Sequence, residues 1–323
     1  MRYSVCGLSL DSVETFPELT PSDTSQLQIS VRLRRDAKLT ASGEAIRPAI
    51  KWTLPDGRPF LVSSKTENGY LLHFENLADV FIDQSASEVR YSPRPGVPAN
   101  SIRHLILDNV IAFVLSLRGY VVLHSSAVVT PFGTCAFAAN TGIGKSTLAA
   151  SFQHAGHSVL TDDCLRLESD AGAVYGIPSY PSVRLREDSL SLVNTKNTAT
   201  LSVAHYNSKR RFRAGLFATG RHQLSAIYFV ERPRDDRERV DEPRIEALSG
   251  HDTLLMMLRY LFCLDPYEPS MLVRQFKILE QVLSQVRILR LIIPDDFSAL
   301  PRVREAVISD LRARSQLGAS AIQ

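Results

Sequence analysis

The 323-residue chain contains no unbroken apolar run of about eighteen residues, the shortest that spans a bilayer as a helix, so no membrane partner is expected. Its first residues, Met-Arg-Tyr-Ser-Val-Cys-Gly-Leu, do not build the apolar centre of a secretory leader, and a cytoplasmic setting is expected. Cysteine is scarce: Cys6, Cys135, Cys164 and Cys263 have no metal-like spacing. Cys135 and Cys164 fall in or beside apolar stretches and read as reduced core thiols. Charge of one sign is also lacking. The net charge of +3 and pI near 8.7 give no reason to expect a nucleic-acid partner. No internal repeat is visible. What is present, 44% hydrophobic and 22% charged residues, suffices for two domains with their own cores.

Breakers divide the chain. Pro93-Arg94-Pro95-Gly96-Val97-Pro98 reads as a linker and sets domains at residues 1–98 and 99–323. Ahead of it, residues 28–33 and 69–74 alternate as strands of a small β-rich domain. Residues 52–57 carry a hairpin turn. Beyond it, residues 101–117 set Ile102, Leu105, Ile106, Val110, Phe113 and Val114 on one helical face. Residues 224–230 read as a strand; 252–264, 271–285 and 299–313 as helices; and 232–243 as a charged surface loop. The expected class is α/β.

Chemistry concentrates in Ala139-Asn140-Thr141-Gly142-Ile143-Gly144-Lys145-Ser146. This is a P-loop one residue short of consensus, with Ala139 where glycine is usual. An apolar stretch, 134–138, precedes it as a strand, and Thr147 opens a helical stretch after it. Strand, Gly-rich turn and helix are the setting that gives the motif meaning. Backbone N–H groups from Asn140 to Thr147 and the helix dipole would cradle phosphates. Gly142 and Gly144 keep freedom where backbone must approach them. Lys145 would reach the outer phosphates and Ser146 would hold Mg²⁺. A Gly-containing turn that binds nothing is the alternative.

Flanking strands add candidates. Residues 121–129 form a strand turned at Pro131-Phe132-Gly133. Residues 157–160 form another, ending in Thr161-Asp162-Asp163. Ligands in α/β sheets bind beyond strand carboxyl ends. One carboxylate there could take a proton from an attacking hydroxyl and the other help hold Mg²⁺; helix-cap or turn roles are the alternative.

Residues 123–163 resemble the catalytic core of the HPr kinase/phosphorylase family. The resemblance rests on His124, the loop from Gly142 to Ser146, Gly156-His157 and Asp162-Asp163. Lys145 follows His124 by 21 residues and precedes Asp162 by 17. The chain is also similar to HPr-kinase-like proteins of bacterial peptide-modification clusters, lasso-peptide kinases among them. There the shared residues are Leu-His-Ser-Ser-Ala-Val before the loop and Pro-Ser-Tyr-Pro-Ser-Val-Arg-Leu at 178–185. The resemblance spans about residues 100–260. It implies relation to phosphoenolpyruvate carboxykinase rather than to GTPases. It also implies γ-phosphoryl transfer from ATP, or another nucleoside triphosphate, to a serine of a precursor peptide or protein. In that reading Asp162 is the general base, Asp163 assists the metal or the base, and His124 and Lys145 complete the catalytic set. The Glu-x-Arg-Gly segment of the HPr enzymes has no counterpart here, which points away from HPr as acceptor; Glu187 and Asp188 could supply a further metal carboxylate.

Two basic features complete the expected site. Arg184 and Arg186 alternate, so they share one face, either over phosphates or on a solvated edge strand. Lys209-Arg210-Arg211-Phe212-Arg213 could clamp phosphates or an acidic peptide through Lys209 and Arg211, or form an exposed loop. The rival functional class is an NTPase switch that transfers nothing. Homo-oligomer formation is left open.

Overall fold

The computed structural model describes residues 1–22, 30–36, 39, 45–46, 49–54, 57–190, 200–233 and 240–320. They form two compact units, Met1–Tyr120 with Ser202–Ser208 and Cys263–Arg274, and Val121–Leu201 with Lys209–Phe262 and Gln275–Gln323.

The first unit is built on an eight-stranded mixed sheet. Its strands are β1 (Arg2–Val5), β2 (Leu8–Ser12), β3 (Ser30–Arg35), β4 (Ile50–Thr53), β5 (Pro59–Thr66), β6 (Gly69–Phe74), β7 (Ala78–Asp83) and β8 (Glu88–Pro93). They run in the order β1-β2-β3-β8-β7-β6-β5-β4. The expected strand at 69–74 is β6. The expected strand at 28–33 is described only from Ser30. Pro55 and Asp56 of the expected hairpin turn lie outside the described residues, though β4 and β5 pair antiparallel around them.

Helix α1, Ala99–Leu117, moves the boundary expected from the sequence. Arg103 Nε donates to both Glu18 carboxylate oxygens at 3.0 Å, and Arg118 Nη2, just past the helix, donates to the Ser30 and Ala86 carbonyls. The helix thus belongs with the first sheet, and the division falls at Tyr120 rather than at 98/99. By length and composition α1 is the one helix among the described residues able to cross a membrane, but most of it is buried. Its residues Ile106–Val110 form a π-turn, where buried Asp108 pairs with His104 one turn earlier.

The second unit is mixed α/β. Its strands are β9 (Val121–Thr130), β10 (Gly133–Ala138), β11 (Ser158–Thr161), β12 (Cys164–Asp170), β13 (Ala173–Ile177), β14 (Ser182–Arg186), β15 (Leu201–Ser202), β16 (Lys209–Arg213), β17 (His222–Glu231), β18 (Arg244–Ala247) and β19 (Arg287–Ile292). Helices α2 (Lys145–His154), α3 (Gly250–Arg259) and α5 (Leu300–Ser320) accompany them, and α4 (Pro269–Gln285) belongs to this unit from Gln275 on. The helix expected over 252–264 stops at Arg259, and the one expected to end at 313 continues to Ser320. Residues 234–239 of the expected charged loop lie outside the described residues.

Strands β10, β17 and β19 run parallel; β10 and β17 are buried on both faces, as central parallel strands are, and β19 buries Leu289 and Leu291 on one face. Alternation divides their side chains. Cys135, Phe137, Ala226 and Tyr228 face Leu148 and Phe152 of α2 and Val303 and Val307 of α5. Ala136, Ala138, Ile227 and Phe229 meet Met257, Leu279 and Val282 on the other side. Each large apolar side chain buried in this way contributes about 1.5–3 kcal/mol. Cys135 and Cys164 are buried free thiols, as expected.

Strand β9 is what builds the site. From Ser125 to Thr130 one edge of it pairs with β10; the other edge pairs with β11 and then, from Val121 to His124, with β12. His124 therefore sits between two strand ends, beside the residue that follows β10 and the residue that precedes β12.

Candidate active site

The loop 139–144 leaves the carboxyl end of β10 and enters α2 at Lys145. Gly142 and Gly144 have φ of +93° and +119°, a region that costs other residues energy. Ala138 lies opposite Ser125 in the β9–β10 ladder, so Ala139 falls beside His124. Lys145 folds back into this corner. Its Nζ donates to the Ala139 carbonyl at 2.8 Å and contacts His124 Nε2 at 3.0 Å. Lys145 is 6% exposed. Burial lowers its pKa to about 8, against the pull of Asp163. Burial likewise takes His124 down to about 4. A neutral imidazole accepting from Lys145 at Nε2 carries its proton on Nδ1, and that atom faces Asp163 Oδ1 at 3.4 Å.

The two carboxylates sit differently. Asp162 is 2% exposed. Its Oδ1 accepts from Ser126 Oγ at 3.1 Å and its Oδ2 from the Arg184 backbone N–H at 2.9 Å. The Ser146 hydroxyl also bonds to it. Burial pushes this carboxyl above the ordinary range, and Arg184 draws it back. Asp163 has a 20% exposed side chain facing His124 and Arg184 Nη2, the latter at 3.3 Å. Arg184 therefore bridges both carboxylates. It is itself buried, which overturns the solvated-edge reading.

The basic run 209–213 is strand β16, not an exposed loop. It pairs with β14, Arg184 opposite Arg211 and Arg186 opposite Lys209. Val183, Leu185 and Phe212 turn to the core against Ala150 of α2, which leaves Arg184, Arg186, Lys209 and Arg211 on the other face. The charge of Lys209 is felt at Lys145, Asp162 and His124. Arg211 is buried beside Tyr180, its guanidinium 5.8 Å from the ring centre. Glu187 and Asp188 are exposed on the helical turn after β14.

Ser126 is a contact that sequence reasoning missed. It lies two residues from His124 on the same strand, so period-2 alternation sends both to one face; that spacing was the available signal. No group of three or more His, Cys, Asp or Glu side chains among the described residues could hold a metal alone. Mg²⁺ asks for less, because it keeps several waters and takes one or two carboxylates besides substrate phosphates. The Ser146 hydroxyl beside Asp162 is the donor pair nearest the loop; Asp162 then takes the metal role expected of Asp163 from the sequence, and a metal would have to displace hydroxyl donors now on its carboxylate.

No family model and no curated protein matches the sequence. Among solved structures the chain is similar to the HPr(Ser) kinase/phosphatase from Coxiella burnetii. The match has 13% identity and a TM-score of 0.33, and covers 60% of this chain and 98% of that one. The likeness concerns chain trace and carries no assignment of activity.

A pH response follows from the Lys145 environment. The ammonium form is the one that can hold phosphate. With the pKa lowered to about 8, that form is lost as pH rises through 8, whereas an ordinary lysine keeps its proton to about 10. If the loop holds a nucleotide through Lys145, affinity for that nucleotide measured by calorimetry should fall progressively between about pH 7.5 and 9.5, the window around the lowered value. A flat profile there would show that Lys145 keeps its charge or does not meet the nucleotide.

Proposed function

We propose that the chain is a kinase that moves the γ-phosphoryl group of ATP, or another nucleoside triphosphate, to a serine hydroxyl. The observation that carries this reading is the corner where Lys145, His124, Asp163, Asp162 and Arg184 meet at the mouth of the Gly-rich loop. Backbone N–H groups from Asn140 to Thr147 bind the phosphates. Mg²⁺ held by Ser146 and Asp162 would neutralise phosphate charge. The serine oxygen attacks the γ-phosphorus, the bond to the β-phosphate oxygen breaks, and the nucleoside diphosphate leaves. Lys145 stabilises the outer oxygens.

The serine proton goes to a carboxylate. The sequence assigned that role to Asp162. The burial of Asp162 and the donors already bound to it support giving the role to Asp163 instead, whose side chain is more open. His124 then positions Lys145 through Nε2 and faces Asp163 through Nδ1. An NTPase switch needs a metal-binding carboxylate but no second, more open one beside it; Asp163 favours transfer.

The acceptor we propose is a ribosomally made precursor peptide with a serine at or near its C-terminus. Lys209, partly exposed and electrostatically coupled to the site, would hold the terminal carboxylate. Buried Arg211 would act behind it. Peptides ending in serine are expected to take label from γ-labelled ATP, while the same peptides amidated at the C-terminus react poorly. Lys209→Ala should raise the KM for the free-acid peptide by about tenfold, the loss of one charged contact, with the KM for ATP unchanged. Equal KM values for acid and amide peptides would remove the carboxylate from the reading. ATP hydrolysis without transfer to any serine peptide would favour the switch.

A further inference from the structure

Two arginines from outside the Gly-rich loop stand over its glycines. Arg186 closes β14, and a methyl group placed on Gly142 would lie 3.8 Å from its Nη2. Arg232 is the first residue after β17, and a methyl group on Gly144 would lie 3.8 Å from its Nη2. The topology explains the second approach. Strand β17 runs parallel to β10 with Phe229 beside Ala138, so Arg232 leaves the sheet at the end where the loop begins.

The two guanidinium groups are held differently. Arg186 is exposed. Arg232 is oriented: its Nη1 pairs with Asp295, whose side chain is 72% exposed, while its own is 30% exposed. A screened partner of that kind fixes direction more than it cancels charge. The guanidinium fork lets one nitrogen face Asp295 while another faces the loop, which a compact ammonium cannot do. Lys145, Arg184, Arg186, Lys209 and Arg232 gather with the carboxylates of Asp162, Asp163 and Asp295, and Glu187 and Asp188 follow Arg186 on an exposed turn. Guanidinium groups beside backbone N–H groups suit a multiply charged outer phosphate.

We propose that Arg186 and Arg232, the latter positioned by Asp295, contact the outermost phosphate of the bound nucleotide and make the site select triphosphate over diphosphate. This rests on the nucleotide-binding reading above and deepens it. Each arginine adds a charge-assisted hydrogen bond to oxygens that a diphosphate lacks.

Calorimetry with ATP and with ADP, both with Mg²⁺, tests it on the full chain. The unaltered protein should bind ATP more tightly than ADP. Arg232→Ala and Arg186→Ala should each weaken ATP by about 10- to 100-fold, the size of one lost hydrogen bond to a charged group, and leave ADP affinity nearly unchanged. Retained ADP binding also shows that the variants are folded. Arg232→Lys should not restore ATP affinity, because the lysine keeps charge but cannot serve Asp295 and phosphate together. Asp295→Asn should lower ATP affinity by less and spare ADP. An ATP-to-ADP ratio unchanged in both alanine variants overturns the proposal, as does a parallel loss of ATP and ADP. If the unaltered protein binds neither nucleotide, the nucleotide-binding reading falls first and this inference with it.

Discussion

Lys145→Ala is expected to cut phosphoryl transfer from ATP by about 10²–10³-fold, the usual effect of removing one preorganised group that meets developing charge. ATP affinity should fall far less, because the backbone N–H groups of the loop and the start of α2 remain. The substitution has a structural side as well. Lys145 is nearly buried and satisfies both the Ala139 carbonyl and His124 Nε2. Removing it leaves the buried Ala139 carbonyl without its donor, at roughly 1–3 kcal/mol, and His124 Nε2 part-buried without a partner there. Lys145→Met keeps more of the volume and should show a similar loss of turnover with a smaller loss of thermal stability. Turnover with labelled ATP, an affinity titration and a melting curve on both variants separate these effects. An affinity loss as large as the loss of turnover would mean that Lys145 holds the ground-state nucleotide rather than the transferring group.

The site was legible in the sequence where its residues are close along the chain. His124, the loop, and Asp162-Asp163 lie within a single stretch, residues 124–163, and each is fixed by a strand end or a turn with its own local signal. The strand at 134–138 and the helix after it follow from apolar run, glycine and helix start. What escaped is held by long-range pairing. The β14–β16 ladder joins Arg184 to Arg211, 211 − 184 = 27 positions apart, and no local pattern states that a basic run will pair with a strand and bury part of its side chains. Alternation within 209–213 was present, with Phe212 between two arginines, but so short a run does not distinguish a strand from a loop.

The boundary expected near residue 98 lies elsewhere for a related reason. Breakers at 93–98 do end the first sheet's last strand, yet the following helix returns to that sheet through Arg103 and Arg118. A linker composition shows where regular structure stops; it does not show which core the next element joins. The position of Arg232 has the same origin, since only the parallel pairing of β17 with β10 brings it to the loop.

The second large effect separates the two carboxylates. Asp163→Asn is expected to lower transfer by about 10²–10⁴-fold, the range for losing a general base, with a melting temperature close to that of the unaltered protein and a much smaller loss of ATP affinity, because Asp163 also helps Lys145 keep its proton. Its side chain is partly open and borders His124 and Arg184, so an amide of the same size can be accommodated there. Asp162→Asn should behave otherwise. Asp162 is surrounded by donors, the Ser126 hydroxyl, the Arg184 backbone N–H and the Ser146 hydroxyl. An amide can keep its oxygen on the Arg184 N–H and turn its NH₂ to the Ser126 hydroxyl, which can accept, but it removes the charge that faces the buried Arg184 guanidinium, at about 1–3 kcal/mol. The expected signature is a lower melting temperature and weaker Mg²⁺-dependent ATP binding, with loss of turnover following from both. Melting curves, calorimetry with and without Mg²⁺, and single-turnover transfer on the two variants decide between the assignments. If Asp163→Asn transfers at the unaltered rate while Asp162→Asn is folded, binds ATP normally and does not transfer, the base is Asp162. The hydroxyl of the acceptor would then have to reach past Arg184 to a carboxylate that is 2% exposed, which requires the paired strands β14 and β16 to move when substrate binds.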